Sequence, residues 1–428
     1  MEILILFLSF VILIGIGVPI AWSIGLSSVF TMLVSIPSIP AFTTVAQRMA
    51  TGLDSFSLLA IPFFVLAGEI MNRGGIAKRL IAFAKALVGA LPGGLAHVNI
   101  LASMLFGAIA GSSVAAASAL GTTVGKQMED EGYSKEFATA VNVTSSTTGL
   151  TIPPSNILIV YSLASGGVSI AALFLAGYIP GILTGLFLMI VAAIWSKYKK
   201  FPAGEKTNVR KIANTFVHAL PSLFLLIVVI GGIVAGVFTA TEASAAAVLY
   251  CLVLTFFYKE VSAKELPDIF LKSVETTAIV MLLIGTSMSM SWVMAYENIP
   301  QSITDLLLTI SDNKFVILLL INLILLLVGV FMDMTPAVLI FTPIFLPIVT
   351  ELGMDPTHFG IVMVMNLCIG LCTPPVGSVL FVGVSISGAS IQKVIRPLMP
   401  LFIAMLVSLM LVTYIPKLSL WLPSLFGL

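Results

Sequence analysis

The sequence predicts an all-α polytopic membrane protein built as an inverted repeat, each half holding one re-entrant hairpin and one broken helix. Three observations predict it. Hydrophobic residues make up 59% of the chain and charged residues only 9%, the balance of a multi-span helical protein rather than a soluble domain. One stretch occurs twice: Gly149-Leu150-Thr151-Ile152-Pro153-Pro154 matches Gly370-Leu371-Cys372-Thr373-Pro374-Pro375 at an offset of 221 positions. At that same offset Gly132 falls on Gly353, Gly167 on Gly388, and Ser169-Ile170 on Ser390-Ile391. The third observation is the placement of the basic residues, which sets the membrane orientation of the two halves.

A span needs about 20 apolar residues. Residues 3–18 and 20–36 are two such runs, parted at Gly17-Val18-Pro19. No basic stretch precedes the first, so it is read as a span and not as a cleaved signal. Residues 37–53, with Pro37, Pro40 and Arg48, read as a loop, and 54–72 as the next span. Residues 76–88 place Ile76, Leu80, Phe83 and Leu87 against Lys78, Arg79 and Lys85 at helical spacing, which suits a helix in the membrane surface. The run 95–125 is interrupted at Gly111-Ser112-Ser113, and 137–165 at Thr151-Ile152-Pro153-Pro154, where the ladder of helical hydrogen bonds cannot continue. A clean span at 169–195 leads into a polar linker. The second half repeats the plan: spans at 219–236, 239–257 and 274–296, a basic loop at 258–272, an amphipathic piece at 301–311, broken runs at 315–349 and 359–387, and a last span at 397–415.

If 95–125 and 315–349 are hairpins that leave on the side they entered, segments 73–88, 126–136, 197–211, 258–272 and 393–396 share one side. They hold 17 of the 20 Lys and Arg. Only Arg48, Lys314 and Lys417 fall opposite, together with Glu297, Asp305, Asp312, Glu351 and Asp355. The basic side is then cytoplasmic, both termini lie outside in the periplasm, and the two hairpins enter from opposite faces.

Matched helix breaks in apolar surroundings mark the binding site of a secondary transporter. Unpaired backbone in hydrocarbon costs several kcal/mol per group, so such breaks persist where they line a cavity or hold a ligand. Half-helices starting at Ser155 and Asn156 and at Gly377 and Ser378 aim backbone N–H groups at that cavity, and with Ser112 and Thr335 they are the candidate substrate contacts. Oxygens of Gly149, Thr151 and Pro153, and of Gly370, Thr373 and Pro374, can coordinate Na⁺. Ser112, Ser113 and Thr335 can complete the shell. Asp333, in Met332-Asp333-Met334-Thr335-Pro336, is a carboxylate at membrane depth and so a functional candidate. Ser112 and Ser113 also suit tight Gly/Ala helix packing, and Asp333 also suits an interfacial cap. No Lys or Arg occurs between Lys135 and Lys197 or between Lys314 and Lys393, so an anion there is expected to rely on helix ends, hydroxyls and bound cations. Glu69 beside Asn72-Arg73 reads as a surface pair. Glu242, in Thr239-Ala240-Thr241-Glu242, reads as a helix cap. Cys368-x-x-x-Cys372 lacks a second ligand pair, and no nucleophile elbow, zinc motif, phosphate loop or basic aromatic patch is present. The chain therefore reads as neither an enzyme nor a nucleic-acid binder.

The two half-sites, Pro62-Phe63-Phe64 with Gly74-Gly75-Ile76, Thr241-Glu242-Ala243 and the paired Gly-Leu-x-x-Pro-Pro motifs resemble the large membrane subunit of tripartite ATP-independent periplasmic (TRAP) transporters, over essentially the whole chain. The resemblance implies an elevator fold in the bacterial inner membrane and Na⁺-coupled uptake of an organic acid, such as a C4-dicarboxylate or sialic acid. It implies a periplasmic substrate-binding protein (P type) and a small membrane subunit (Q type), the latter expected as a separate polypeptide. It divides the chain into repeats 1–196 and 219–428 around a linker at 197–218. Transport-domain parts lie at 91–168 and 314–390, and scaffold parts at 1–90, 169–196, 219–313 and 391–428. Many members carry an acid just after the first tip, where this chain has Ala115-Ala116-Ala117, which leaves Asp333 as the principal carboxylate. The rival reading is a stand-alone Na⁺/H⁺ antiporter or channel, against which the absence of paired core carboxylates weighs.

Overall fold

The computed structural model describes residues 2–202, 204, 208–311 and 313–428; Asp312 lies outside them. Every regular element there is a helix, and eight helices are long and apolar enough to cross a membrane.

Helices Glu2–Gly15 and Ile20–Ser35 meet at Gly17, whose φ of 88° a side chain would resist. Residues 37–53 are not a loop; they form the helix Ser38–Leu53. Pro37 precedes it and Pro40 sits in its first turn, where the missing N–H has no intrahelical partner to lose. Its buried Ala41, Val45 and Gly52 fall on one face, packed on the long helix Leu266–Tyr296, and the Arg48 guanidinium lies 5.3 Å from the Trp292 ring centre. Helix Ile76–Val88 is amphipathic as expected, burying Ile76, Leu80 and Ala84.

The polar connections are shorter than the hydropathy suggests. Helix Ile170–Lys199 runs into the expected linker and Val209–Val234 starts inside it, while Leu266–Tyr296 begins within the expected loop 258–272. A helix needs apolar side chains only where it meets lipid or core, so its ends project as polar turns. A final helix, Lys417–Leu425, follows the expected last span and packs on Ile170–Lys199. Glu242 completes a capping box with Thr239: its carboxylate accepts from the Thr239 backbone N–H at 2.8 Å.

Element boundaries recur at the offset of the sequence repeat. Gly94–Ala110 matches Lys314–Phe331, and Ser113–Leu120 with its π-turn and continuation to Asp130 matches Met334–Glu351. Lys135–Ser146 opens opposite Pro356–Gly370, Asn156–Ala164 opposite Ser378–Ser387, and Ile170–Lys199 opposite Ile391–Tyr414. Both Pro-Pro bonds are cis. The broken helices touch reciprocally: the Thr147 hydroxyl lies 3.7 Å from Cys372 Sγ, and that of Thr151 4.0 Å from Cys368 Sγ. Because 147 pairs with 368 and 151 with 372 in the repeat, each contact is the other with the halves exchanged, as across a local two-fold axis.

Packing sorts the helices into two bodies. Glu2–Gly15, Ile20–Ser35, Ser38–Leu53, Ala60–Arg73, Val209–Val234, Ala240–Tyr258 and Leu266–Tyr296 form one. The hairpins and broken helices form the other. Ile170–Lys199 and Ile391–Tyr414 pack on Gly94–Ala110, Lys135–Ser146, Pro356–Gly370 and each other.

Four of the five basic segments, with Gly388 just ahead of the fifth, meet at one end. Lys78 and Arg79 approach Glu260 at 3.4 and 3.8 Å, Gly204 abuts Gly89, the Tyr133 hydroxyl donates to Pro202 O at 3.1 Å, and Lys135 reaches Gly388.

Candidate functional site

A cavity of about 630 Å³ lies between the two bodies. On one wall stand the first tip (Gly111, Ser112, Ser113), the start of the first half-helix (Asn156, Ile157), and the second tip (Asp333, Met334, Thr335). Five residues chosen from sequence, Ser112, Ser113, Asn156, Asp333 and Thr335, therefore line one space, although 221 positions separate the paired tips.

Each tip is a helix start. Gly111 closes Gly94–Ala110 at φ 62°, and its Cα faces the Asn156 amide, with 2.7 Å left for a Cβ. Ser112 then caps the return arm, accepting from Ala115 N at 3.2 Å. Asp333 occupies the same capping position ahead of Met334–Glu351, with extended backbone, but makes no side-chain cap bond. Its carboxylate lines the cavity and also faces the backbone N–H of Met334, the first residue of its helix. That geometry puts a carboxylate on the same cavity lining as the hydroxyl-bearing Ser112, Ser113 and Thr335.

The other sequence-chosen residues stand behind this lining. The Ser155 hydroxyl donates to Leu150 O at 2.5 Å, and that of Thr373 to Ile369 O at 2.8 Å. Thr151 is buried against Cys368, and Gly370 O accepts from Thr373 N at 2.9 Å. Gly377, at φ 35°, donates its N–H to Val330 O at 3.3 Å, and the Ser378 hydroxyl is buried without a partner. Pro153 and Pro374 each lead a cis Pro-Pro bond at the breaks. Gly149 packs on Gly107, and Gly370 on Gly329, so each break is backed by a hairpin arm at backbone contact.

The opposite wall comes from the other body: Glu69, Asn72 and Arg73 at the end of Ala60–Arg73, with Lys272 and Thr276 on Leu266–Tyr296. Lys272 Nζ lies 3.4 Å from Glu69 Oε2. The sequence reading placed no basic residue at the cavity and took Glu69 as a surface pair with Asn72-Arg73. Instead Glu69 pairs with Lys272, from a helix distant in sequence, and both line the cavity with Arg73. The helical spacing of Glu69 and Asn72-Arg73 on one apolar helix was the available signal.

A family model for the tripartite ATP-independent periplasmic transporter, DctM component, matches residues 7–418. The chain is 58% identical over 426 residues to the protein YgiK of Salmonella typhimurium, covering 100% of this chain and 98% of that one. It is 42% identical to the C4-dicarboxylate TRAP transporter large permease protein DctM of Pseudomonas aeruginosa, over 95% of each chain. It is 40% identical to the sialic acid TRAP transporter large permease protein SiaM of Vibrio cholerae, over 89% of each. In fold it is similar to the solved structure of Neisseria gonorrhoeae MtrF, at TM-score 0.59 and 12% identity over 88% of this chain and 83% of that one. Helix breaks paired about one cavity are thus seen in a chain that matches a transport family from end to end, and this multi-pass membrane protein belongs to the large permease (DctM) component family of TRAP transporters.

Proposed function

We propose that this chain carries an organic acid into the cell, coupled to Na⁺, by an elevator motion of the hairpin body against the other body. The observation that carries this reading is the cavity itself. It lies where the two groups of helices meet, and one wall carries both hairpin tips, the start of the first half-helix and the Asp333 carboxylate. Helix starts favour an anion, and a carboxylate with hydroxyls favours a hard cation, so both ligands have complementary groups there. Two of the named relatives, DctM and SiaM, are named for a C4-dicarboxylate and for sialic acid, both acids. A binding protein and a small membrane subunit are the partners that a tripartite system requires. The chain lies in the inner membrane, with its basic end cytoplasmic and both termini periplasmic.

Reconstituted alone, the chain is expected to transport nothing measurable, and uptake is expected once its binding protein and small subunit are added with a Na⁺ gradient. Solute-independent Na⁺/H⁺ exchange by the isolated chain would replace this reading with the antiporter. Orientation is read separately by thiol labelling. A cysteine at Tyr198, 77% exposed, should react only from the cytoplasm, and one at exposed Asn313 only from the periplasm. Reaction of both from one side would defeat the inverted arrangement. Gly204 is unsuited to this probe because an added side chain would meet Gly89.

A further inference from the structure

The cavity has two chemically different walls, and only one of them belongs to the paired breaks. We propose that Arg73 and Lys272 form a second anion station, on the wall opposite Ser112 and Asn156, which the substrate's acid group occupies as it leaves, with Glu69 holding that place while the cavity is empty. This rests on the proposed organic-acid transport and adds residues that no helix break supplies.

Three features carry it. Arg73 ends its helix, and Lys272 projects from Leu266–Tyr296, so two full positive charges line the space that Asp333 lines from across it. The Lys272 side chain is 57% exposed while its partner Glu69 is only 15% exposed, so the pair presents the ammonium, not the carboxylate. An incoming carboxylate at Lys272 would replace Glu69 like for like, an exchange with little net loss of charge pairing. Helix starts on the other wall offer only partial charges. An anion released from them gains full counter-charges on a wall that does not move with the hairpins, which favours its departure. Glu69 and Asp333 are the opposing charges on the lining, and they keep the space from trapping the anion.

The field of this wall can be read without any substrate. The chain's own Cys251, Cys368 and Cys372 are buried, so a cysteine at Ser118, on the hairpin wall of the cavity, can be titrated with an anionic methanethiosulfonate (sulfonatoethyl) and a cationic one (trimethylammonioethyl). R73Q/K272Q should lower the anionic-to-cationic rate ratio about tenfold or more, the scale on which lined clefts concentrate ions. E69Q alone should raise it, and R73K/K272R should leave it near the parent's. An unchanged ratio in R73Q/K272Q, or no rise in E69Q, overturns the proposal. In proteoliposomes with both partners, R73Q/K272Q should raise the half-saturating concentration for succinate or sialic acid (whichever is taken up) from the cytoplasmic side, with the Na⁺ dependence unmoved. If the parent's uptake ignores Na⁺, the coupling reading fails while the labelling result stands by itself.

Discussion

Asp333→Asn is expected to raise the Na⁺ concentration for half-maximal uptake at least about tenfold, or to abolish transport. The carboxylate supplies a full charge where freed carbonyls and hydroxyls supply dipoles. Leaving a desolvated cation without it costs several kcal/mol before relaxation, and each 1.4 kcal/mol is about a factor of ten. The carboxylate makes no side-chain cap bond, and an Asn side chain keeps an oxygen that can accept from the Met334 N–H, so folding should hold. Membrane insertion should be unharmed, since a charge leaves the apolar phase. Asp305, exposed on helix Ile299–Ile310 away from the cavity lining, is the matched control as Asp305→Asn. Uptake is measured against Na⁺ with the binding protein held constant. An unmoved Na⁺ curve for Asp333→Asn would show the cation to be held by neutral oxygens.

Gly370→Ala is expected to disable the protein by a different route. A Cβ at Gly370 would stand 2.5 Å from Gly329 Cα, and that neighbour is backbone, which cannot rotate away. Overpacking of this kind costs about 1–3 kcal/mol, at the upper end where no side chain can yield. The broken helix must then shift away from the hairpin arm that backs it, taking Leu371 and the half-helix behind it out of register with Asp333. Both the thermal midpoint of the purified protein and uptake should fall, and Gly149→Ala, backed by Gly107, should repeat the effect in the other half. Gly231→Ala, where an added Cβ meets nothing within 4 Å, is the control and should be neutral or slightly stabilising. A Gly370→Ala protein as stable and active as Gly231→Ala would mean that the close approach is dispensable.

What the sequence determined by itself was whatever depends on neighbours along the chain. Apolar run lengths announced the spans, and Pro153-Pro154, Pro374-Pro375 and Gly111 announced the breaks, because a missing N–H or Cβ acts within one helical turn. The repeat then named Ser112, Asn156, Asp333 and Thr335, which share the cavity lining. Tertiary structure decided the rest. Pro37 and Pro40 looked like breakers, yet they stand at the start of a helix whose face is covered by Leu266–Tyr296. Helix Ile170–Lys199 is apolar on every side along its membrane length, so nothing local assigns it to the hairpin helices that it packs against. Arg73 and Lys272 come from helices almost 200 positions apart, and their charges become a feature of the cavity only when the two helices are placed side by side. Local chemistry dictates where a helix must stop; which side chains then face one another is set by packing between elements that the chain order keeps apart.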